Sequence, residues 1–286
     1  MKKQLLSLCG ALALSIPVAF AGETTLTSAQ GLAIRGLHAG HTFAVTLRQS
    51  ANTAENGVEV TIDERLKPYL KVTLQKGILY LGFDDLPHEL QNADKWCRPA
   101  IAEVTLSCID RLTASGLASI TPVGTFSGAA TAIKTSDASK IGPITIQVTG
   151  TDATEATVSG MSRIENLTLK NARAVEASAS GSSNLKLDCD AIRSLRIVAS
   201  GMSSATVAGS AETVTSKASG GSHLNLEKLK AEKVSCETSG MSSITCYSTS
   251  SLDVSSSGGS SVRYRSGGVL RTNFSTSGMS YVAKIE

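Results

Sequence analysis

Toward its C-terminal end the chain alternates apolar and polar residues with a period of two, in short runs that come in pairs. Leu185-Lys-Leu187, Leu224-Asn-Leu226, Ile244-Thr-Cys246 and Val262-Arg-Tyr264 make up one set. The other comprises Leu195, Ile197 and Ala199; Val214, Ser216 and Ala218; Val234, Cys236 and Thr238; and Leu252, Val254 and Ser256, with Arg196, Lys217, Glu237 and Asp253 facing the opposite way. Successive side chains of a strand point to opposite faces, so each unit predicts two short strands with one narrow apolar face.

A Ser-Gly-x-Ser tetrad joins the two sets and recurs at Ser159, Ser180, Ser200, Ser219, Ser239, Ser257 and Ser277, at intervals of 18 to 21 residues. That interval is too short for two packed helices and suits one strand-turn-strand rung of a solenoid. Stacking equivalent strands about 4.8 Å apart would merge scattered Leu, Val and Ile into a continuous core. Glycine permits positive φ at a corner and serine hydroxyls bond backbone groups left unpaired there. Gly160, Gly181, Gly201, Gly220, Gly240, Gly258 and Gly278 are therefore read as structural corners. The variable position runs Met161, Ser182, Met202, Gly221, Met241, Gly259, Met279, large and small by turns. A flexible thioether is expected to spread over the gap beside each small neighbour. The alternative is a solvent-facing column of Ser and Met that grips a ligand.

Upstream, Phe43–Leu47, Val58–Ile62, Leu70–Leu74 and Ile78–Phe83 also alternate or run apolar, with Asn56-Gly57 and Lys76-Gly77 as turn signals. They predict a meander of antiparallel or stacked strands opening the sheet, followed by a first tetrad-like corner at Ser115. Between Thr121 and Thr157 the pattern blurs into one or two degenerate rungs, with Pro122 to Gly128 expected as a loop. Met1 to Ala21 has the charged start, apolar core and small-x-small end of a secretory signal. The expected organisation is a signal at 1–21, a strand-rich opening at 22–110 and a repeat at 111–286.

Removing the signal takes two of 27 basic residues and none of 24 acidic ones, leaving 25 − 24 = +1. That balance argues against a nucleic-acid partner, and no other apolar run is long enough for a transmembrane segment. The expected location is outside the cytoplasm, periplasmic or extracellular at the outer surface. In an exported chain Cys97 and Cys108 are expected to form a disulfide. Cys189, Cys236 and Cys246 lie within the repeat, their pairing left open; Cys236 and Cys246 fall on inward columns and are read as small buried hydrophobes. No C-x-x-C or cofactor motif occurs, so no cofactor or metal is expected.

β-Helices also host polysaccharide lyases and hydrolases, which need clustered carboxylates. Asp188 with Asp190, and Asp84 with Asp85, are the candidates, and neither pair has acidic counterparts in the next rung, as a solvated edge would not. His38, His41, His88 and His223 are dispersed, and His38-x-x-His41 lacks a third ligand nearby. Arg263, Arg265, Arg271 and Tyr281 gather in the last rungs, with Tyr264 and Phe274 among them. Arginine beside aromatic rings suits a glycan, an envelope component or a protein partner; large side chains also serve to cover a final rung.

The order Phe43-Ala-Val-Thr-Leu-Arg-Gln49, Leu66-Lys-Pro-Tyr-Leu-Lys-Val72, Lys76-Gly-Ile-Leu-Tyr-Leu81, Val104-Thr-Leu106 and then serial Ser-Gly-x-Ser rungs resembles the head-GIN-domain family of autotransporter-adhesin type. Ser261-Val-Arg-Tyr-Arg-Ser-Gly-Gly268 and Ser277-Gly-Met-Ser-Tyr281 are similar to its last rungs. The family commonly has Ala where this chain has Met, Ser or Gly. The resemblance covers about residues 30 to 286 and implies an exported, right-handed parallel β-helix with no attached reaction. No barrel-sized segment is seen after the repeats, so the autotransporter label is not expected to apply in full. The sequence thus points to a non-enzymatic adhesin-like or envelope-interaction module, with a carbohydrate-active β-helix enzyme as the alternative. Stacking of exposed terminal rungs would also permit a homodimer.

Overall fold

The computed structural model describes residues 23–27, 31–87, 90 and 100–286. It is a β-solenoid of about nine stacked turns with almost no helix. Two columns of parallel strands form its walls. The strands that follow a tetrad pair in the order Asn184↔Ser204↔His223↔Ser243↔Ser261↔Tyr281, and those that lead into one pair Ser194↔Thr213↔Lys233↔Ser251↔Arg271. Alternation then does the rest: Leu185, Ala205, Leu224, Ile244 and Val262 form one buried ladder, and Leu195, Val214, Val234 and Leu252 face it from the other wall. No single rung has enough apolar surface to fold alone, so each is stabilised by its neighbours.

The corners explain the tetrads. The seven glycines have φ between +71° and +76°, and a Cβ at Gly220 or Gly240 would come within 2.9 Å of a backbone oxygen of the rung before. The fourth-position serine is buried: Ser222 Oγ donates to Ala199 O at 3.1 Å, and Ser242 Oγ lies 2.9 Å from Ser239 O and 3.0 Å from Ala218 O. Those inter-rung carbonyls also accept the N–H of Ser219 and Ser239 at 3.0 Å, so each buried hydroxyl adds a second bond at the corner and is itself satisfied. Ser222→Ala is expected to cost about 1 kcal/mol, the net worth of the hydrogen bonds its hydroxyl makes to Ala199 O and from Ser219 N–H; the shift of a urea melt against Ser204→Ala on the outer face would measure it.

Two further corners use other residues in glycine's seat. Asp137 (φ +62°) and His41 (φ +54°) occupy it in Ser136-Asp-Ala-Ser139 and Gly40-His-Thr-Phe43. Polar side chains tolerate this conformation better than most. Pro122 to Gly128 is not a loop. Ser119–Val123 and Thr125–Gly128 are strands bent at Gly124 (φ +106°), and Phe126 points inward with no exposure. One proline and two glycines hid the period.

The N-terminal end is threaded out of order. Gly36–Ala39 lies between Ile78–Phe83 and Arg111–Ala114, and Ala44–Gln49 lies between Ile101–Leu106 and Ser119–Val123. The first rung in sequence is therefore the second in space. Outside it, Leu70–Gln75 runs antiparallel to Ile78–Phe83, and Gly57–Asp63 runs antiparallel to both Ile101–Leu106 and Glu23–Thr27. A short 3-10 helix, Glu64–Tyr69, crosses between these walls and buries Leu66 over the core. Antiparallel strands and this helix close the end. At the other end Arg271–Thr276 is exposed along its whole length.

Cys189, Cys236 and Cys246 are buried, and Cys236 Sγ lies 3.8 Å from Cys246 Sγ across the core. Cys108 is a half-buried free thiol, and the bridge expected from it is not shown, since Cys97 lies outside the described residues.

Candidate binding surface

At the turn of each rung away from the tetrads, rungs differ in length and the surface is recessed. The ladder slips between Cys189 and Ile192 and again between Thr206 and Ala208, while Asn171 (φ +63°), Ala191 (φ +54°) and Gly209 (φ +118°) turn the chain. The result is a groove of about 830 Å³ lined by Lys170, Arg173, Asp188, Asp190, Arg193 and Glu212, among others. It adjoins a second recess of about 530 Å³ that shares Ala191 and Glu212 and continues past Lys230 and Glu232. Cations and carboxylates are balanced along it.

The carboxylates are held in place. Asp188 accepts from Asn166 Nδ2 at 2.9 Å, and Asp190 accepts from Ser210 Oγ at 3.0 Å, while that hydroxyl accepts from Ala191 N–H at 3.0 Å. Among the described residues neither Arg173 nor Arg193 has an ion-pair partner, so both guanidinium groups are available to a ligand. Cys189 sits between the two aspartates facing inward. Burial first, and then their charge, pushes its thiol up to about 12, so it stays protonated at neutral pH and is no nucleophile. The native protein is expected to leave Cys189 unlabelled by a thiol reagent at pH 8, with labelling only after denaturation; a mass-mapped adduct on the folded chain would contradict this.

A smaller cleft of about 480 Å³ lies in the N-terminal rungs, lined by His38, His41, Thr73, Tyr80, Ser115 and others. Stacking brings His38 Nε2 to 3.2 Å from Ser115 Oγ, 77 residues away in sequence, and the His38 and Tyr80 rings lie 5.4 Å apart. Burial lowers the His38 pKa, favouring a neutral imidazole. Among the described residues no carboxylate bonds to it. His41 Nδ1 accepts from Phe83 N–H at 3.3 Å, and among the described residues no group of three or more His, Cys, Asp or Glu could hold a metal ion. Asp84 pairs with Lys71 on the rim, Asp85 turns away at φ +52°, His223 is exposed on the outer wall, and His88 lies outside the described residues.

The C-terminal candidates separate. Arg263 Nη2 donates to Tyr281 Oη at 3.4 Å, whereas Arg265 is tied to Glu227 at 3.0 Å and Arg271 belongs to the other strand column. Tyr264, half-buried, and Phe274 lie 5.7 Å apart and shield the last rung.

The sequence matches, over residues 34–268, the family described as "Putative auto-transporter adhesin, head GIN domain". The chain belongs to the head GIN domain family. Solved structures share the architecture of this head GIN protein at low identity. One, a "putative adhesin" from Parabacteroides merdae ATCC 43184, is 17% identical, covers 93% of this chain and 97% of its own, and superposes with a TM-score of 0.63. A second "putative adhesin", from Parabacteroides distasonis ATCC 8503, is also 17% identical, with coverage of 92% and 96% and a TM-score of 0.64. A third, called a "putative lipid binding protein", from the same strain, is 15% identical, with coverage of 93% and 98% and a TM-score of 0.61. At such identities the fold is what is shared. No curated protein matches the sequence. Among the described residues no helix is long and apolar enough to cross a membrane.

Proposed function

We propose that this head GIN protein is a non-enzymatic, exported, adhesin-like module that binds a polar polymer, a glycan or envelope component, along the groove of residues 168–212. The observation that carries this reading is the groove itself: it runs across successive rungs, its carboxylates are fixed by Asn166 and Ser210, and its arginines are uncommitted. Fixed acceptors beside free planar donors suit the hydroxyls of a repeating sugar chain. The family and the adhesin-type relatives support the class of function.

Binding of the purified protein to a glycan and envelope-polymer array tests this. Loss of at least tenfold in affinity is expected for Asp190→Ala/Arg193→Ala, with little change for Arg263→Ala/Arg265→Ala. The opposite ranking would move the site to the C-terminal rungs. Polymer cleavage abolished by Asp188→Ala/Asp190→Ala would replace the proposal with a carbohydrate-active enzyme.

A further inference from the structure

All the methionines of the described chain stand at one corner, and they do not lie down over their small neighbours. Met161, Met202, Met241 and Met279 are 73%, 76%, 79% and 86% exposed, and Leu117, in the same column, is 64% exposed. Backbone bonds fix that column in register: Ser182 N–H donates to Gly160 O at 2.8 Å, Met202 N–H to Gly181 O at 2.8 Å, Gly221 N–H to Gly201 O at 2.8 Å and Met241 N–H to Gly220 O at 2.7 Å. From Leu117 to Met279 there are eight rung steps, so the ridge is about 38 Å long with a knob roughly every 9.6 Å.

The gaps are not dictated by the fold. Gly221 and Gly259 adopt no left-handed backbone, and a Cβ there would meet nothing nearer than 3.8 and 3.9 Å. Methionine takes the same seat in the rungs on either side. Glycine at these places, and serine at 182, leaves holes that the backbone does not require. A row of exposed apolar knobs marks an interaction site, and the alternation says what fits it. A lipid surface would gain from a knob on every rung, and a bilayer contact would carry the aromatic and basic residues of interfacial anchors. No tetrad from Ser159 to Ser280 contains a charged or aromatic residue. Holes with twice the rung spacing serve a partner that brings knobs of the same period.

We infer that the partner is a second copy of this chain, joined along the methionine ridge as an antiparallel two-fold zipper. With the axis between the rungs of Met202 and Gly221, Met202 of each copy enters the other's Gly221 gap and Met161 enters the gap at Gly259. The same operation sets Met241 against Ser182 and Met279 against Ala138. An isologous interface brings each row against its own kind; the one charge in these corners, Asp137 beside Ala138, then faces Gly278, so no like charges meet. A strip about 38 Å long and about 13 Å wide, four residues at about 3.3 Å each, amounts to about 500 Å² on each copy before the relief of the knobs is counted, about 1,000 Å² in all, which is what a specific interface needs. This contact leaves the groove at the other turn of the rung open, so it stands or falls separately from polymer binding.

Light scattering coupled to size exclusion, with sedimentation from about 1 to 100 µM, tests the zipper on the purified protein. The unaltered chain is expected to run at twice the monomer mass. Met161→Ser/Met202→Ser/Met241→Ser/Met279→Ser should be monomeric, at least 100-fold weaker in association, with an unchanged far-ultraviolet spectrum. The deciding variant fills the holes: Ser182→Met/Gly221→Met/Gly259→Met should also be monomeric although its ridge is more apolar. Association retained or strengthened in that variant would overturn the zipper in favour of unspecific apolar contact. A monomeric parent at 100 µM would overturn it too, and stronger binding of the filled variant to phosphatidylcholine vesicles would then assign the ridge to a lipid surface.

Discussion

Replacing Gly209 by alanine is expected to be the most damaging single-methyl change in the molecule. Its backbone has φ +118°, and an added Cβ would sit 1.7 Å from the carbonyl oxygen of Cys189 in the rung before. No rotamer relieves that contact, because both partners are backbone. The wall must open at the turn beside the groove, and left-handed strain adds roughly 1–3 kcal/mol. The total is expected to exceed about 4 kcal/mol. Gly221→Ala, twelve residues on, makes only an ordinary contact at 3.8 Å and should be nearly neutral. Thermal and urea melts of the two variants side by side measure the contrast, and equal midpoints would refute the account of this turn.

The second large effect is expected at Phe43. Its ring is fully buried where the tetrad-side corner meets the first wall, and it stacks on Phe83 at 5.2 Å with an interplanar angle of 22°. Phe43→Ala should cost about 3–5 kcal/mol, from lost transfer energy and from the cavity left behind. Because each turn depends on its neighbours, the damage should be regional. Amide exchange is expected to quicken across residues 36–49, 78–83 and 101–106 while the turns beyond residue 200 keep most of their protection. Uniform loss along the chain would mean that the solenoid unfolds as one unit instead.

Gly209 also shows what the sequence could and could not convey. The tetrad glycines were legible because seven copies repeat one steric need in one context. Gly209 meets a more severe need once, between Ala208 and Ser210, and a single instance carries no period. Asp137 and His41 escaped notice for the opposite reason, since they keep the corner's conformation while breaking its spelling. Inward columns were readable from alternation alone, as at Cys236 beside Val254 and Cys246 beside Leu226. Alternation says which way a side chain points but not which rung lies next to it. That is why the His38 and Ser115 contact and the displaced first rung were invisible, and why Arg271 was grouped with residues on a different wall.

The out-of-order threading at the N-terminal end has a consequence for how the molecule comes into being. A ribosome delivers the chain from its N-terminus, yet residues 36–49 have no completed neighbour on either side until residues 78–123 have been made. For the first hundred residues or so the nascent chain holds this turn flanked on one side at most, by Ile78–Phe83. Only the arrival of Arg111–Ala114 and Ser119–Val123 gives that segment a second partner; from there each new turn can settle onto a finished template as it emerges. The molecule is therefore begun one turn in from its N-terminal end, with the outermost turn laid down beyond it and the remaining turns following in order on the other side.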